Sequence, residues 1–240
     1  MTEVNALGQP IGLKVEGWKA PARPPRDPMV GRTCRVEPLD PAAHARHLHE
    51  ANSLDADHRN WTYLPYGPFA TFDDYAGWLR GVAGAADPMF HAIVDLASGE
   101  AAGVASYLRI DPSAGSIEVG HINYSPKLQR RVAATEAMYL MMKRAFELGY
   151  RRYEWKCHSM NAASRAAAQR LGFSYEGIFR QARVDKGRNR DTAWYAMIDR
   201  EWPAIDQAFR RWLDPSNFDA EGRQRTPLGE LTGPILVSRG

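Results

Sequence analysis

The segment from Leu128 to Tyr150 constrains the fold more than any other part of this sequence. It opens with Gln129, Arg130 and Arg131 and then carries apolar or small side chains at Ala134, Ala137, Met138, Met141, Met142, Ala145 and Phe146. Recurrence at i, i+3 and i+4 is typical of a helix packed on a sheet. Glycine commonly follows the end of a helix, and Gly149 stands there. The sequence therefore predicts a long helix that begins in a compact, basic turn.

Strand patterns stand on both sides of this helix. Three β-rich runs precede it, separated by the turn signals ASGE and DPSAG: Met89–Leu96, Ala101–Ile110 and Ser116–Tyr124. Such a succession predicts an antiparallel meander. After the helix, RRYEWKCH places Tyr153, Trp155 and Cys157 on one face of a strand, because side chains alternate along strands. A short helix from Asn161 to Gly172 and a hairpin, YEGIFRQARV and DTAWYAMID, complete the pattern.

The first part of the chain predicts a further strand and two helices. Arg32–Leu39 reads as a strand, and Asp40 and Thr71 each precede a helical pattern in the capping position that Asp and Thr favour. Residues 1–30 show neither helical nor strand period. The sequence therefore predicts an extended arm at 1–30, a folded domain at 31–202, and a C-terminal helix with an irregular tail at 203–240.

Composition narrows the classes of protein that fit. The chain has 240 residues, of which 44% are hydrophobic and 25% charged, as in ordinary soluble globular proteins. A formal charge of +3 is too small to indicate a nucleic-acid partner. No run approaches the ~20 apolar residues of a membrane span, so no membrane partner is expected. Cys34 and Cys157 are the only cysteines, which favours a reducing, cytoplasmic compartment.

Three histidines, His44, His47 and His49, lie close together in the helix that follows Asp40. Two of them share a helix face, but no cysteine or acidic side chain stands at ligand spacing to complete a metal site. We therefore expect no metal cofactor, and a solvated helix face instead.

The turn before the long helix has the features of an anion site. A strand, a short turn and a helix with small first residues bring free backbone N–H groups and the positive end of a helix dipole to one point. The element order, with QRRVAATEA, NAASRAAAQRLGFSYEG and GRNRDTAWYAMIDREW, resembles the GCN5-related N-acetyltransferase (GNAT) superfamily. Within it, the chain is most similar to the branch of ribosomal-protein N-terminal acetyltransferases.

The resemblance covers the chain from Gly31 to Trp202 and implies an α/β (α+β) acyl-CoA N-acyltransferase fold. Such a fold has a mixed, mostly antiparallel sheet flanked by helices. Its sheet splays between the fourth and fifth strands, where acetyl-CoA enters.

The resemblance also implies which residues hold acetyl-CoA as co-substrate. In that superfamily a Q/R-x-x-G-x-G/A turn holds the pyrophosphate through its backbone amides, and here Val132 replaces the middle glycine. The implied cofactor residues are Ile122, Asn123, Gln129, Arg130, Arg131, Val132, Ala133, Ala134, Thr135 and Asn161. Lys127 is a further cation that could reach the phosphates. A helix cap with a surface charge cluster is the alternative interpretation of this turn.

The implied reaction is direct attack of a primary amine on the acetyl thioester. A lysine-like amine, with a pKa of ~10.4, is mostly protonated at neutral pH, so a proton acceptor is needed. Glu118 matches the acidic position of relatives and is the first candidate base, although it could instead be a solvated carboxylate on a strand. Asp191 is the second, although it could instead pair with Arg188 or Arg190 to brace the hairpin.

Two further features bear on the chemistry. Ser164 stands where relatives place a hydroxyl near the thioester sulfur, although capping is an ordinary role for Ser164 and for Asn161. Cys157 has no base partner in the sequence, so a ternary complex is expected rather than an acetyl-enzyme.

The acceptor is the least constrained part of the prediction. The run HRNWTYLPYGPF is rich in aromatic residues, and three of them either line the acceptor site or pack as plain structure: Trp61, Tyr63 and Tyr66. A protein N-terminus, a polyamine, an amino acid and an antibiotic all remain open as acceptors, as do a monomer and a homodimer. Two other functions remain open, a non-catalytic acyl-CoA binding or sensing module and a protein-interaction role of the arm and tail.

Overall fold

The computed structural model describes residues 3–240. Its strands are β1 (Glu3–Val4), β2 (Pro10–Ile11), β3 (Met29–Val30), β4 (Cys34–Pro38), β5 (Met89–Asp95), β6 (Ala101–Asp111), β7 (Ser116–Tyr124), β8 (Arg152–His158), β9 (Ser174–Asp185) and β10 (Arg188–Ile198). An eight-stranded sheet has the order β3-β4-β5-β6-β7-β8-β10-β9, while β1 and β2 pair with each other. Within that sheet only β7 and β8 are parallel.

Helices flank this sheet, which confirms the predicted fold class. They are α1 (Pro41–Asn52), α2 (Phe72–Ala83), α3 (Val132–Glu147), α4 (Ala162–Arg170), α5 (Trp202–Leu213) and α6 (Leu228–Thr232). Short 3-10 turns lie at Arg59–Trp61, Pro215–Asn217 and Gly233–Ile235. Within residues 3–240, no helix combines the length and the apolar character needed to cross a membrane.

The predicted helix boundaries follow local capping chemistry. A carboxylate oxygen of Asp40 accepts the N–H of Ala42 at 2.9 Å, and the Thr71 hydroxyl accepts the N–H of Asp74 at 3.1 Å. Gly149 and Gly172, just past the ends of α3 and α4, have φ values of +93° and +94°. This left-handed conformation is one that glycine adopts without the Cβ clash of other residues. The predictions for α1 to α4 are confirmed.

The meander is confirmed as well, since β5, β6 and β7 pair antiparallel in sequence order. The parallel pairing of β7 with β8 extends only from Ser116, opposite Arg152, to Val119, opposite Trp155. Both strands continue beyond this point, β7 to Tyr124 and β8 to His158, without pairing to each other. The sheet therefore splays between the fourth and fifth of the predicted strands, as expected.

Two apolar cores lie on opposite faces of the sheet. β5 shows the division, because Ile93 faces the core beneath α3, whereas Ala92 and Val94 face the core beneath α1 and α2. In β8 the alternation predicted from the sequence is confirmed, since Trp155 and Cys157 are buried in the α3 core. The intervening residues of β8 consequently point to the α1 face.

The segments outside the central domain make contacts with it. Met29 and Val30 pair with β4, and the guanidinium of Arg151 lies 5.8 Å from the centre of the Trp18 ring. In the tail, Leu228 is buried and the Thr232 hydroxyl donates to the carbonyl of Arg170 at 2.9 Å. The tail is thus partly helical and packed. The boundaries at 30 and 202 stay a prediction.

Buried His91 makes the stability of the fold depend on pH. It is 1% exposed on β5, and burial, with the charges of Arg26 and Arg144, lowers its pKa from 6.5 to about 4. The unfolded chain therefore binds the proton more tightly, so this contribution to stability is complete above pH 6.5 and is lost as the pH falls towards 4. Each pH unit in that window removes up to about 1.4 kcal/mol from the free energy of unfolding.

We expect His91→Phe to flatten this pH dependence, since phenylalanine fills the same site without titrating. Denaturant unfolding at several pH values between 4 and 7 measures the slope. His58→Gln, at an exposed position, is the control and should leave the slope unchanged. An equal slope in the wild type and His91→Phe would contradict the assignment.

Candidate active site

A cleft opens where β7 and β8 separate, with a cavity volume of about 660 Å³. Side chains from both faces of the sheet line it, so the cleft passes through the sheet. Its α3 half is formed by Ala134, Met138, Trp155, Cys157, Asn161 and Ser164. Its α1 half is formed by Arg109, Glu118, His121, Lys156, His158, Arg183 and Arg190. The alternation along β8 separates the two halves.

In the α3 half, the first turn of α4 is held by side-chain hydrogen bonds. The side-chain oxygen of Asn161 accepts the N–H of Ser164 at 3.1 Å, so Asn161 caps the helix. The Ser164 hydroxyl oxygen in turn accepts the indole N–H of Trp155 at 3.0 Å. A hydroxyl group both accepts and donates, so Ser164 can still donate its proton, and the Cys157 side chain is one neighbour within reach.

The N-terminus of α3 offers backbone N–H groups as hydrogen-bond donors to the α3 half of the cleft. Helices α1, α2 and α4 are capped by Asp40, Thr71 and Asn161, whereas Arg131 before α3 makes no such side-chain bond within residues 3–240. First-turn N–H groups have no acceptor inside their own helix. That of Ala134 already donates to the Arg131 carbonyl at 3.2 Å, and that of Arg131 donates to Leu128 at 3.2 Å. Between Gln129 and Ala134, the described chain offers no acceptor to the N–H groups of Arg130, Val132 and Ala133.

The turn before α3 is built differently from the family pattern. The left-handed residue is Arg130, with φ of +60°, and Val132 is the first residue of the helix. Valine is compatible with helical φ, so the missing glycine places no strain here. The side-chain amide of Gln129 donates to Asn60 and to the Tyr124 carbonyl, both at 2.8 Å. Gln129 therefore braces the loop after α1.

Other residues predicted to bind the phosphates also make contacts within the protein. The Thr135 hydroxyl accepts from the Arg170 guanidinium at 3.2 Å, and Ala133 is buried in the α3 core. Lys127 pairs with Glu100 at 2.7 Å. Arg130 lines the cleft, whereas Arg131 is exposed next to it. Of the predicted residues in this turn, the structure thus brings Gln129, Arg130 and Ala134 to the cleft.

A bulge in β7 shapes the centre of the cleft. Val104 pairs with Asn123 and Ser106 with Gly120, so two residues of β7 stand opposite one of β6. His121 takes a φ of +52° there, and both His121 and Ile122 line the cleft. Asn123 is buried, and its side-chain amide has no hydrogen-bond partner in the part of the chain that is described. Bulges redirect backbone groups in this way next to functional sites.

Glu118 lies at the floor of the α1 half and is 2% exposed. The guanidinium of Arg109 holds both of its oxygens, with Nε–Oε2 at 2.6 Å and Nη2–Oε1 at 2.7 Å. The ammonium of Lys156 lies 3.0 Å from Oε2 and also pairs with Glu154 at 2.7 Å. Buried carboxylates need such partners to remain charged. Among residues 3–240, Glu118 is the only carboxylate that lines the cleft.

Asp191 lies away from the cleft. Its Oδ1 accepts the backbone N–H of Gln181 at 2.7 Å and the side-chain amide of Asn189 at 3.0 Å, and these bonds lower the pKa of the carboxylate. The predicted pairing with Arg190 is not made either, since Arg190 pairs with Asp185 at 2.9 Å. Asp191 therefore braces the hairpin through its neighbours, and the structure separates it from Glu118.

The aromatic residues of the loop after α1 have different positions, one in the wall of the cleft and the others packed against neighbouring rings. Tyr63 lines the cleft and donates from its hydroxyl to the Met160 carbonyl at 3.3 Å. Trp61, in contrast, is 4% exposed, with its ring 5.5 Å from that of Phe69. Tyr66 stacks on His121, with ring centres 5.6 Å apart, and its hydroxyl lies 3.2 Å from His121 Nδ1. Trp61 therefore packs in the core beneath the loop, and Tyr66 packs against the His121 ring.

We therefore expect Trp61→Phe to lower the free energy of unfolding by about 1–2 kcal/mol, because the smaller ring leaves part of a packed site empty. The KM values for both substrates should change little. Thermal melting and initial-rate kinetics measure the two effects. A rise in the acceptor KM without a loss of stability would instead place the Trp61 side chain in the acceptor site.

Several lysine, arginine and histidine residues at the cleft were absent from the sequence prediction. Lys156 could have been found, because it stands between Trp155 and Cys157 and so must face the other side of the sheet. His121 and Arg109 gave no such signal, since a bulge and a positive φ of 47° at Arg109 decide where they point. Burial and the charges of Arg109, Arg183 and Arg190 lower the pKa of His121 from 6.5 to about 4. The ring is therefore neutral at pH 7.

The acetyltransferase (GNAT) domain, as a family model, matches residues 35–174, which include the splayed strands and the α3 turn. The chain belongs to the GNAT acetyltransferase family. Among solved structures it is similar to a GCN5-related N-acetyltransferase from Brucella melitensis, with 46% identity and a TM-score of 0.89 over 91% of this chain and 100% of that one. A search of curated proteins finds no match.

More distant structures share the same fold. A probable GNAT-family acetyltransferase from Chromobacterium violaceum ATCC 12472 is 41% identical, with a TM-score of 0.76 over 82% of this chain and 98% of that one. The ribosomal L7/L12 α-N-protein acetyltransferase RimL is 23% identical, with a TM-score of 0.61 over 71% of this chain and 93% of that one. At that identity the likeness to RimL shows the fold alone. This GNAT protein is an acetyltransferase, and its family uses acetyl-CoA as co-substrate.

Proposed function

We propose that this GNAT protein transfers the acetyl group of acetyl-CoA to a primary amine by direct attack in a ternary complex. The observation that carries the proposal is the cleft through the sheet, which has uncapped helix N–H groups near one face and the Glu118 carboxylate at the other. An amine can therefore approach a thioester from the opposite side of the sheet.

The α3 half fits the part of acetyl-CoA that extends from the diphosphate to the thioester. The N–H groups of Val132 and Ala133, with the Arg130 side chain, would hold the diphosphate at the positive end of the helix dipole. Ala134 is small enough to let the ligand approach the helix closely. The backbone N–H at Ile122, turned by the bulge, would polarise the thioester carbonyl as an oxyanion hole does.

The α1 half supplies the proton chemistry. The amine nitrogen forms a bond to the acetyl carbon, the carbon–sulfur bond breaks, and the amine proton passes to Glu118 directly or through water. CoA leaves as the thiolate, and the Ser164 hydroxyl can donate a hydrogen bond to its sulfur. Glu118 is preferred to Asp191 because Asp191 lies outside the cleft.

The state of Cys157 supports direct attack. Burial raises the pKa of its thiol, and the side chain is 5% exposed. A thiol held in the neutral form is a poor nucleophile, because the thiolate is the reactive species. An acetyl-cysteine intermediate is therefore disfavoured, and initial-rate plots against the two substrates should intersect. Parallel lines would indicate an acetyl-enzyme.

The deciding experiment measures the release of CoA thiol with a panel of amino acids, diamines and peptides. The peptides include free N-termini, because RimL, a structural relative, acetylates the N-terminus of a ribosomal protein. Matched N-acetylated peptides, which lack the free amine, are the controls. Release that depends on a free amine supports the proposal. Calorimetric binding of acetyl-CoA with no release for any amine would overturn it and favour a sensing module.

A further inference from the structure

The geometry points to an acceptor that is a small amine bearing an anionic group, a carboxylate or a phosphate. This inference rests on the proposed amine acetylation and names the substrate class for the α1 half of the cleft. The charges on β9, β10 and β6 carry it.

The hairpin contributes two guanidinium groups that share one carboxylate. Arg183 and Arg190 stand directly opposite each other on β9 and β10, and both line the cleft. Asp185 accepts from Arg190 at 2.9 Å and lies 3.4 Å from Arg183. Two positive charges thus meet one negative charge, and Asp185 itself does not line the cavity. The surplus charge at the surface of the cleft is positive.

The same two arginines retain donors that the protein does not use. Arg190 is 12% exposed, and its Nε–H has no acceptor among residues 3–240. Arg183 is 49% exposed and makes only the longer contact with Asp185 in the described chain. A guanidinium fork binds the two oxygens of a carboxylate or phosphate in a planar, bidentate geometry. These donors are therefore suited to an oxyanion in the cleft.

On the opposite wall the charges are balanced. Arg109 and Lys156 both pair with Glu118, and Lys156 also pairs with Glu154, so the surplus positive charge of the cleft comes from Arg183 and Arg190. Arg109, Arg183 and Arg190 all line the same cleft as His121, and their charges, after burial, contribute to the lowered pKa of its ring. A second positive charge on an acceptor, as in a diamine, would be repelled here.

The hairpin of β9 and β10 also contacts the loop after α1. The ammonium of Lys186, at the hairpin tip, donates to the Trp61 carbonyl at 2.8 Å and joins the hairpin to the loop after α1. Arg183 of the hairpin and Tyr63 of the loop both line the cleft, so this contact joins two of its walls, which favours a small molecule over a polypeptide chain. The amine of such a molecule would lie towards Glu118 and its anionic group towards Arg183.

Matched acceptor pairs test the inference in the CoA-release assay. Glycine is compared with glycinamide and phosphoethanolamine with ethanolamine, and putrescine represents the cationic amines. Glycinamide is the less basic amine, so it is favoured by its larger free fraction at neutral pH. We expect the anionic member of at least one pair to have the higher kcat/KM, and the pair that responds tells carboxylate from phosphate.

Charge variants locate the effect. Arg183→Gln should raise the KM of the preferred anionic amine by about 10- to 100-fold while sparing the KM of acetyl-CoA. Arg183→Glu should shift the preference towards putrescine. Arg180→Gln, exposed on the same strand and outside the cleft, is the matched control and should change neither KM.

The outcomes separate this inference from the function on which it rests. The inference would be overturned if glycinamide and ethanolamine were both turned over faster than their anionic counterparts. It would also be overturned if acidic peptides were acetylated and none of the small anionic amines were. Either result would leave amine acetylation standing. The absence of turnover with every amine, despite binding of acetyl-CoA, would overturn the proposed function itself and the inference with it.

Discussion

Glu118→Gln is expected to lower kcat by about 10²–10⁴-fold at neutral pH, the range that a positioned proton acceptor contributes. The substitution keeps the size of the side chain and its place at the floor of the cleft, but the amide cannot accept the amine proton. Acetyl-CoA binding should persist, since Glu118 lies in the α1 half. Steady-state kinetics and calorimetric titration with acetyl-CoA measure the two quantities.

Two comparisons separate proton transfer from structural support. If Glu118 accepts the proton, raising the pH should recover part of the rate of Glu118→Gln, because more of the amine is then already neutral. Glu154→Gln is the matched variant, because Glu154 also pairs with Lys156 but lies outside the cleft. It should keep most of the activity. A loss in Glu118→Gln that is equally large at every pH, or shared by Glu154→Gln, would remove Glu118 as the base.

Ala134→Asp is expected to abolish acetyl-CoA binding. Ala134 is 9% exposed in the first turn of α3 and lines the cleft, so a carboxylate there would meet the phosphates of the ligand. An acidic residue in the first turn of a helix ordinarily stabilises it by about 0.3–1 kcal/mol. Loss of binding without a comparable loss of stability is therefore specific to a phosphate site.

Ala162→Asp is the control for that prediction. Ala162 is the exposed first residue of α4 and does not line the cleft, so the same change should leave acetyl-CoA affinity within a few-fold of the wild type. Calorimetric titration gives the affinity, and a melting curve of each variant shows whether it is folded. A folded Ala134→Asp variant that binds acetyl-CoA as tightly as the wild type would falsify the phosphate-site assignment.

Local chemistry explains which parts of the fold the sequence predicts. Asp40, Thr71 and Asn161 each cap a helix through contacts within four residues, and Gly149 and Gly172 end helices by their own backbone conformation. These features depend on neighbours in the chain, so they can be read before the tertiary structure is known. The alternation that buries Trp155 and Cys157 is equally local.

The site depends on contacts between distant residues, which the sequence does not display. Glu118 was found as a candidate, but its partners Arg109 and Lys156 come from two neighbouring strands. Asp191 was the second candidate base, but the fold of the hairpin places its carboxylate on amide donors outside the cleft. Trp61 and Tyr63 are two residues apart in one loop, yet packing decides that the first is core and the second is wall.

The passage of the cleft through the sheet has a kinetic consequence. Because the α3 half and the α1 half reach the splay between β7 and β8 from opposite faces, each substrate of the proposed reaction has its own entrance. Neither ligand blocks the path of the other, so we expect addition in random order. The acetylated product can likewise depart while CoA is still bound, and product inhibition by CoA should then be competitive against acetyl-CoA alone.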